Sequence, residues 1–313
     1  MDSCTLCAHR CQTDRRTRPG RCGIDQHLYV ASVCRHTGEE PVLGGPSGVV
    51  NVFFAGCNLR CIYCQNHQIS APRTALTPHR CTVPELLARL EPLLQPEDAD
   101  GRMDGRCDTL GLVSPTPYIP HLPELIGQLH RDGYRPTIVY NTGGYDSPAA
   151  LDTLEGLVDI YLPDYKYASP ALAHELSHAP GYPDHALSAI GRMASQVGTG
   201  LQLDERGIAR RGLLVRHLVL PGQAENTRAA LFNLWAELGP ALPVSLMSQY
   251  TPPENLRADR HPELARGITP AEYRQALATL HELGMHQGFT QDFSSQGHYT
   301  PDFSEADPFG STH

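Results

Sequence analysis

The sequence predicts an α/β protein, and three observations carry that reading. Six short β-rich runs alternate with stretches of helical periodicity, a pattern that requires parallel strands joined by right-handed crossovers. Polar residues recur at the carboxyl end of each run, the end at which such folds gather their chemistry. At 313 residues the chain has room for one large core or two smaller ones, because single cores stop growing near ~250–300 residues. An open doubly wound sheet and a partial (β/α) barrel both satisfy the alternation.

Three parts follow one another: a Cys- and Arg-rich segment over 1–44, a periodic region over 45–290, and a polar tail over 291–313. GEEPVLGGPSG at 38–48 reads as a linker from its glycines and prolines. The expected strands are VVNVFFA (49–55), TLGLVS (109–114), PTIVYN (136–141), VDIYLP (158–163), GLLVRHLVL (212–220) and PVSLMSQY (243–250). Between the first two, Leu86, Leu87, Leu90, Leu93 and Leu94 recur at helical spacing behind the capping box Thr82-Val83-Pro84-Glu85. A second box, Thr269-Pro270-Ala271-Glu272, opens the last helix, and Gly284 is its stop. The tail SSQGHYTPDFSEADPFGSTH has little to bury and is expected to fray.

Composition narrows the function classes. Hydrophobic residues at 40% and charged ones at 19% are the balance of an ordinary globular protein. The longest apolar runs fall short of the ~20 residues a bilayer demands, and MDSCTLC lacks the regions of an export signal. A cytoplasmic protein with no membrane partner is expected. A net charge of −9 gives no general attraction to nucleic acid, although Arg10, Arg15, Arg16, Arg18 and Arg21 make the N-terminus locally basic. All ten cysteines lie within the first 107 residues. In a long chain without an export signal, that clustering favours metal ligation over disulfides.

The strand ends supply the candidates. The first run leads into CNLRCIYCQN, which places Cys57, Cys61 and Cys64 in one loop; the second ends in Ser114-Pro115-Thr116-Pro117, the third in Asn141-Thr142-Gly143-Gly144, and the fourth in Asp164-Tyr165-Lys166. The fifth carries Arg216 inside an apolar run, and the sixth ends at Gln249-Tyr250. An iron–sulfur cluster of four irons fully ligated by protein uses four thiolates. Three thiolates leave one iron free, and an open position is the mark of a catalytic metal centre.

C-x3-C-x2-C with an aromatic before the third cysteine, following the first strand of this pattern, resembles the radical S-adenosylmethionine superfamily. FFAGCNLRCIYCQN, VYNTGGY, VDIYLPDYKY, GLLVRHLVLPG and SLMSQY together resemble its pyruvate formate-lyase activating enzyme branch, over about residues 1–290. The resemblance implies a partial (β/α)6 TIM-type barrel with a small Cys-rich N-terminal segment. It also implies a [4Fe–4S] cluster on Cys57, Cys61 and Cys64, with the amine and carboxylate of S-adenosylmethionine on the fourth iron. Reductive cleavage of that cofactor yields a 5′-deoxyadenosyl radical that abstracts a substrate hydrogen, in this branch to install a glycyl radical on a partner protein, with flavodoxin or ferredoxin as reductant. By the same resemblance Tyr63 lies against adenine, Asn141 and Thr142 near the methionyl or ribose part, Asp164 and Lys166 beside the cofactor, and Arg216 near its carboxylate. Gln249 stands where the substrate hydrogen arrives. Two departures stand out. LVSPTP occupies the place of a glycine-glutamate motif, so Ser114, Thr116 or backbone carbonyls must accept the methionyl amine; and Asn141 replaces a customary aspartate.

Two further patterns bear on function. Cys4, Cys7, Cys11 and Cys22 form a fourfold set that suits a structural zinc or a second iron–sulfur cluster; Cys34, Cys81 and Cys107 read as ordinary thiols. His174-Glu175-Leu176-Ser177-His178 matches H-E-x-x-H, the basis of an alternative reading as a zinc metallohydrolase. A non-catalytic Cys-rich iron–sulfur protein is the third.

Overall fold

The computed structural model describes residues 3–70, 76–96, 106–297 and 300–310. In chain order the strands are β1 (Leu28–His36), β2 (Val49–Phe54), β3 (Arg80–Cys81), β4 (Thr109–Val113), β5 (Thr137–Thr142), β6 (Ile160–Pro163), β7 (Leu201–Leu203), β8 (Ala209–Leu213), β9 (Val215–Leu218), β10 (Val244–Met247) and β11 (Gly288–Thr290). The α-helices are α1 (His67–Ser70), α2 (Val83–Leu90), α3 (Leu122–Arg131), α4 (Pro148–Leu151), α5 (Pro170–Ser177), α6 (Tyr182–Val197), α7 (Ala224–Leu238) and α8 (Pro270–Glu282). β2, β4, β5, β6 and β8 pair in parallel, and β9, β10 and β11 continue in parallel as a second sheet. A parallel bridge from Asp164 to Arg216 carries the wall from the end of β6 onto β9. The result is the partial barrel.

Alternation along the strands builds two cores, because successive side chains point to opposite faces. Val50, Val52 and Phe54 of β2 face outward beneath the helices, packed in one cluster with Leu86, Leu90, Leu122 and Leu129. Val49, Val139, Ile160, Leu162 and Leu214 fill the inside. Both expected capping boxes form: Thr82 accepts from the Glu85 amide on α2, and Thr269 from the Glu272 amide on α8. Among the described residues no helix is long and apolar enough to cross a membrane.

The structure departs from the sequence expectations in four places. GLLVRHLVL is not one strand: it breaks at Leu214, whose amide still bonds Tyr161, while Val215 already bonds Pro243. Pairing passes there from β6 to β10. Within the Cys-rich segment, residues 28–36 form β1, antiparallel to β2, so part of that segment belongs to the sheet of the barrel. The linker is partly interior, with Glu40 and Leu43 buried. The described part of the tail does not fray, because Phe303 and Phe309 pack against Phe53 at ring distances of 5.2 and 5.8 Å, and Gln68 binds both the Asp302 carboxylate and the Phe303 amide.

Candidate active site

The loop after β2 begins at Gly56, where φ is +77° and an added Cβ would stand 2.4 Å from Ile24 Cδ1. Only glycine fits such a turn. Further along, the Arg60 and Ile62 amides donate to the carbonyls of Ser177 and Leu176, so the loop is fastened to the end of α5. The three sulfurs have individual partners. The Leu59 amide donates to Cys57 Sγ at 3.4 Å, Ser177 Oγ donates to Cys61 Sγ at 2.9 Å, and Cys64 Sγ lies 3.2 Å from Ser70 Oγ. Burial pushes the Cys57 thiol up to about 12 and the Cys61 thiol to about 11, and raises Cys64 as well. Each amide or hydroxyl hydrogen aimed at sulfur favours the thiolate that a metal would require.

All three cysteines line a cavity of about 570 Å³, within the range of small-molecule sites. Its wall takes Ser114 from the end of β4, Asn141 and Thr142 from β5, Asp164 and Lys166 from beyond β6, Arg216 from β9 and Gln249 from beyond β10. The strand ends thus converge. Lys166 Nζ pairs with Asp164, and Tyr182 Oη donates to the Gly143 carbonyl at 2.8 Å. Tyr63 is buried, its hydroxyl 2.6 Å from that of Tyr167. Gln249 Oε1 accepts from the Gln291 amide. Ser114 adopts φ of 57°, a left-handed backbone that a glycine would enter without strain.

Two expected ligand contacts are not realised. Thr116 is buried outside the cavity lining, and its hydroxyl donates to Asp146 at 2.8 Å. Thr142 and Tyr140 donate to the same carboxylate, which burial still raises above the usual aspartate range. The hydroxyls therefore serve an internal carboxylate. Arg216 reaches the cavity, but its guanidinium is already bound by Glu39 and Glu40. Burial alone would disfavour its charge; the two carboxylates reverse that. Two neighbouring anions leave Arg216 no charge to offer a ligand carboxylate.

The zinc-hydrolase geometry does not form. α5 ends before His178, which takes a left-handed φ of 51° as its amide bonds back to His174 and the Ala179 amide reaches Ala173. This helix-ending arrangement turns the two imidazoles edge-on at 6.2 Å. Glu175 faces outward toward His261 at 3.6 Å, and none of the three lines the cavity. Ser177, inside the same pentapeptide, instead reaches Cys61.

Among the described residues no three His, Cys, Asp or Glu side chains already stand close enough to enclose a single metal ion. Thiolates of a polynuclear cluster each bind a different iron. Ser70, Ser177, Asp146, Glu39 and Glu40 were not singled out by sequence. Only the nearness of Ser70 to Cys64 in the chain offered a signal.

No family model matches the chain. It is 27% identical over 278 residues to an uncharacterised protein of Methanocaldococcus jannaschii, covering 88% of this chain and 73% of that one. Over 174 residues it is 29% identical to the 7-carboxy-7-deazaguanine synthase of Methanopyrus kandleri, covering 51% of this chain and 63% of the other. In fold it is similar to Streptococcus suis SuiB, solved bound to S-adenosylmethionine, with TM-score 0.51 and 10% identity over 77% of this chain. The chain spans about half the length of SuiB, 50%. Its fold is thus similar to that of SuiB, and its C-x3-C-x2-C loop is the motif that resembles the radical S-adenosylmethionine superfamily.

Proposed function

We propose that this chain is a radical S-adenosylmethionine enzyme, with Cys57, Cys61 and Cys64 holding a [4Fe–4S] cluster. Cluster and S-adenosylmethionine together supply a 5′-deoxyadenosyl radical that takes a hydrogen from the substrate. The observation that carries the reading is the placement of three half-buried thiols in one loop at the carboxyl end of the first parallel strand, over a cavity of about 570 Å³.

This chain's own residues prepare the site. Ser177 and the Leu59 amide direct hydrogens at Cys61 and Cys57, and the Ser70 hydroxyl lies within hydrogen-bond distance of Cys64. The Asp164–Lys166 pair is nearly buried, with side chains 20% and 16% exposed. It presents both a carboxylate and an ammonium to a zwitterionic ligand. The Ser114 hydroxyl and the Asn141 amide oxygen are the acceptors left for a methionyl amine where LVSPTP replaces an acidic motif. Tyr63 walls the cavity beside the cysteines, and the packed tyrosines behind it keep that side dry. Gln249 faces the opening from the last parallel strands.

The finer reading is activation of a glycyl-radical partner protein, with a flavodoxin or ferredoxin as electron donor. It is supported by the five segments that resemble the activating-enzyme branch. The test is anaerobic reconstitution with iron and sulfide, reduction, and measurement of 5′-deoxyadenosine formed from S-adenosylmethionine, beside Cys61→Ala. Wild type is expected to turn over the cofactor and the variant to lose it. A wild type loaded with a [4Fe–4S] cluster that releases no 5′-deoxyadenosine under several reductants would overturn the assignment, leaving a non-catalytic iron–sulfur protein.

A further inference from the structure

The N-terminal cysteines are built into a compact knot that the proposed chemistry does not use. The Cys4 amide donates to the Thr13 carbonyl at 2.9 Å and the Gln12 amide to the Cys4 carbonyl at 3.0 Å, pinching the chain around Cys7 and Cys11. Between those two cysteines the Arg10 amide bonds the Cys7 carbonyl, and Arg10 and Gln12 both hold left-handed φ, 42° and 52°. Such strain in residues other than glycine persists only where the surroundings enforce it. A second turn, from Gly20 to Ile24, presents Cys22. The two turns meet. A Cβ placed on Gly20 would stand 3.5 Å from the sulfurs of both Cys11 and Cys22, so those sulfurs are at most twice that distance apart. Cys11 also shares a hydrogen bond with the Cys4 side chain, and Cys7 lies within electrostatic reach of Cys4 and Cys22.

Backbone hydrogen bonds from Ala8 to Tyr145 and from Ser147 to Leu6 lay the segment on the barrel, but its own interior is small. All four cysteines are free thiols. Over residues 3–24 the only apolar side chain that is fully buried is Ile24, and the first strand begins at Leu28. A stretch with so little core of its own is the kind that a metal cross-link stabilises. The knot is also docked on the catalytic loop. The Arg60 guanidinium donates to the Arg21 carbonyl at 2.7 Å, His9 Nε2 bonds the Asn58 carbonyl at 2.9 Å, and Ile24 closes over Gly56.

We propose that Cys4, Cys7, Cys11 and Cys22 form a second metal centre, a closed four-thiolate site for a thiophilic metal, which clamps the N-terminal segment onto the loop carrying Cys57 and Cys61. Four protein ligands leave no open position, so its role is structural rather than catalytic. No three of these side chains already enclose a single ion, so binding requires the cysteine side chains to rotate inward. Zinc and iron share the thiolate chemistry, and elemental analysis separates them.

The test uses the full chain with Cys57, Cys61 and Cys64 all replaced by alanine, so that its result is independent of cofactor cleavage. This variant is expected to keep about one zinc, or the iron of one cluster, per chain after zinc addition or anaerobic iron–sulfide reconstitution. Replacing Cys7 and Cys22 by serine as well should remove that metal. Alkylation followed by mass spectrometry of the unmodified protein supplies a readout that does not depend on a variant folding. Cys4, Cys7, Cys11 and Cys22 should be protected together and become reactive together on chelation, with faster proteolysis near Arg21. A folded triple-alanine variant that binds neither metal, or four thiols that alkylate freely in the metal-loaded wild type, would overturn the proposal.

Discussion

Arg216→Met tests the most heavily charged interior contact of the barrel. In the folded protein Arg216 is 14% exposed, and its partners Glu39 and Glu40 are 12% and 7% exposed. Methionine keeps most of the volume but leaves two carboxylates facing each other in a low-dielectric interior. Removing one partner of a buried ion pair costs about 3–5 kcal/mol, which for a domain of this size corresponds to a fall in Tm of roughly 5–10 °C. The effect has a definite pH dependence. Burial would raise the Glu39 carboxyl, but Arg216 outweighs it and holds Glu39 below the usual range. In the wild type this pairing therefore stabilises the fold above the ordinary glutamate pKa, ~4.3, and the contribution is lost as pH falls through the folded value. Without the guanidinium, burial acts alone on Glu39, which titrates higher, and the variant gains stability relative to wild type as pH drops. Thermal unfolding of metal-free wild type and variant at pH 8, 6.5 and 5 should show a gap that narrows toward acid. Glu39→Gln with Glu40→Gln in the variant background should restore part of the loss. A gap below about 2 °C that ignores pH, accompanied by loss of S-adenosylmethionine binding, would refute the internal-pair account and return Arg216 to a ligand-binding role.

Three further outcomes follow from local geometry. Ser114→Gly should raise stability by about 1 kcal/mol, since a left-handed L-residue is strained by roughly that amount; chemical-denaturation midpoints read it, and a loss of stability would mean that the Ser114 hydroxyl outweighs the strain. His217 is buried and neutral, bonded to the Tyr165 carbonyl through Nδ1 and to the Thr227 hydroxyl through Nε2, and burial lowers its pKa to about 4. Protonation is thus easier in the unfolded chain, so wild type should lose up to ~3 kcal/mol as pH falls from ~6.5 to 4, a slope that His217→Asn should flatten in urea titrations. Gly56→Ala forces a side chain into a φ of +77° and against Ile24; a cost of about 1–3 kcal/mol and faster cleavage within residues 3–24 are expected, and unchanged proteolysis would show that the N-terminal knot does not depend on this contact.

Legibility tracked sequence distance. The Cys57, Cys61 and Cys64 loop could be read because its spacing is local and it follows a β-rich run; the two capping boxes were visible for the same reason. The strands were legible where both faces are buried and mostly apolar, as in β2 and β10. β1 was not, because half-buried antiparallel strands carry a weaker pattern, and YVASVCRH looked like part of a cysteine-rich loop. GLLVRHLVL looked continuous because nothing in it marks the change of pairing partner. Thr116 and Arg216 were sound candidates by position at strand ends. What disqualified them were partners distant in the chain: Asp146, and Glu39, which is 177 residues from Arg216.

The sequence by itself determined the alternating strand and helix order, the three-thiol loop at the end of the first parallel strand, and the existence of a separate four-cysteine set. These depend on periodicity and short spacing, which neighbouring residues alone specify. Tertiary structure decided which polar groups face the cavity and which answer one another inside. It spent Thr116 on Asp146 and Arg216 on Glu39 and Glu40, brought Ser177 from a motif of other appearance onto Cys61 across 116 residues, and seated the N-terminal knot on the cysteine loop. Those outcomes follow from the requirement that buried polar groups find partners, and the partners are chosen only when the barrel closes.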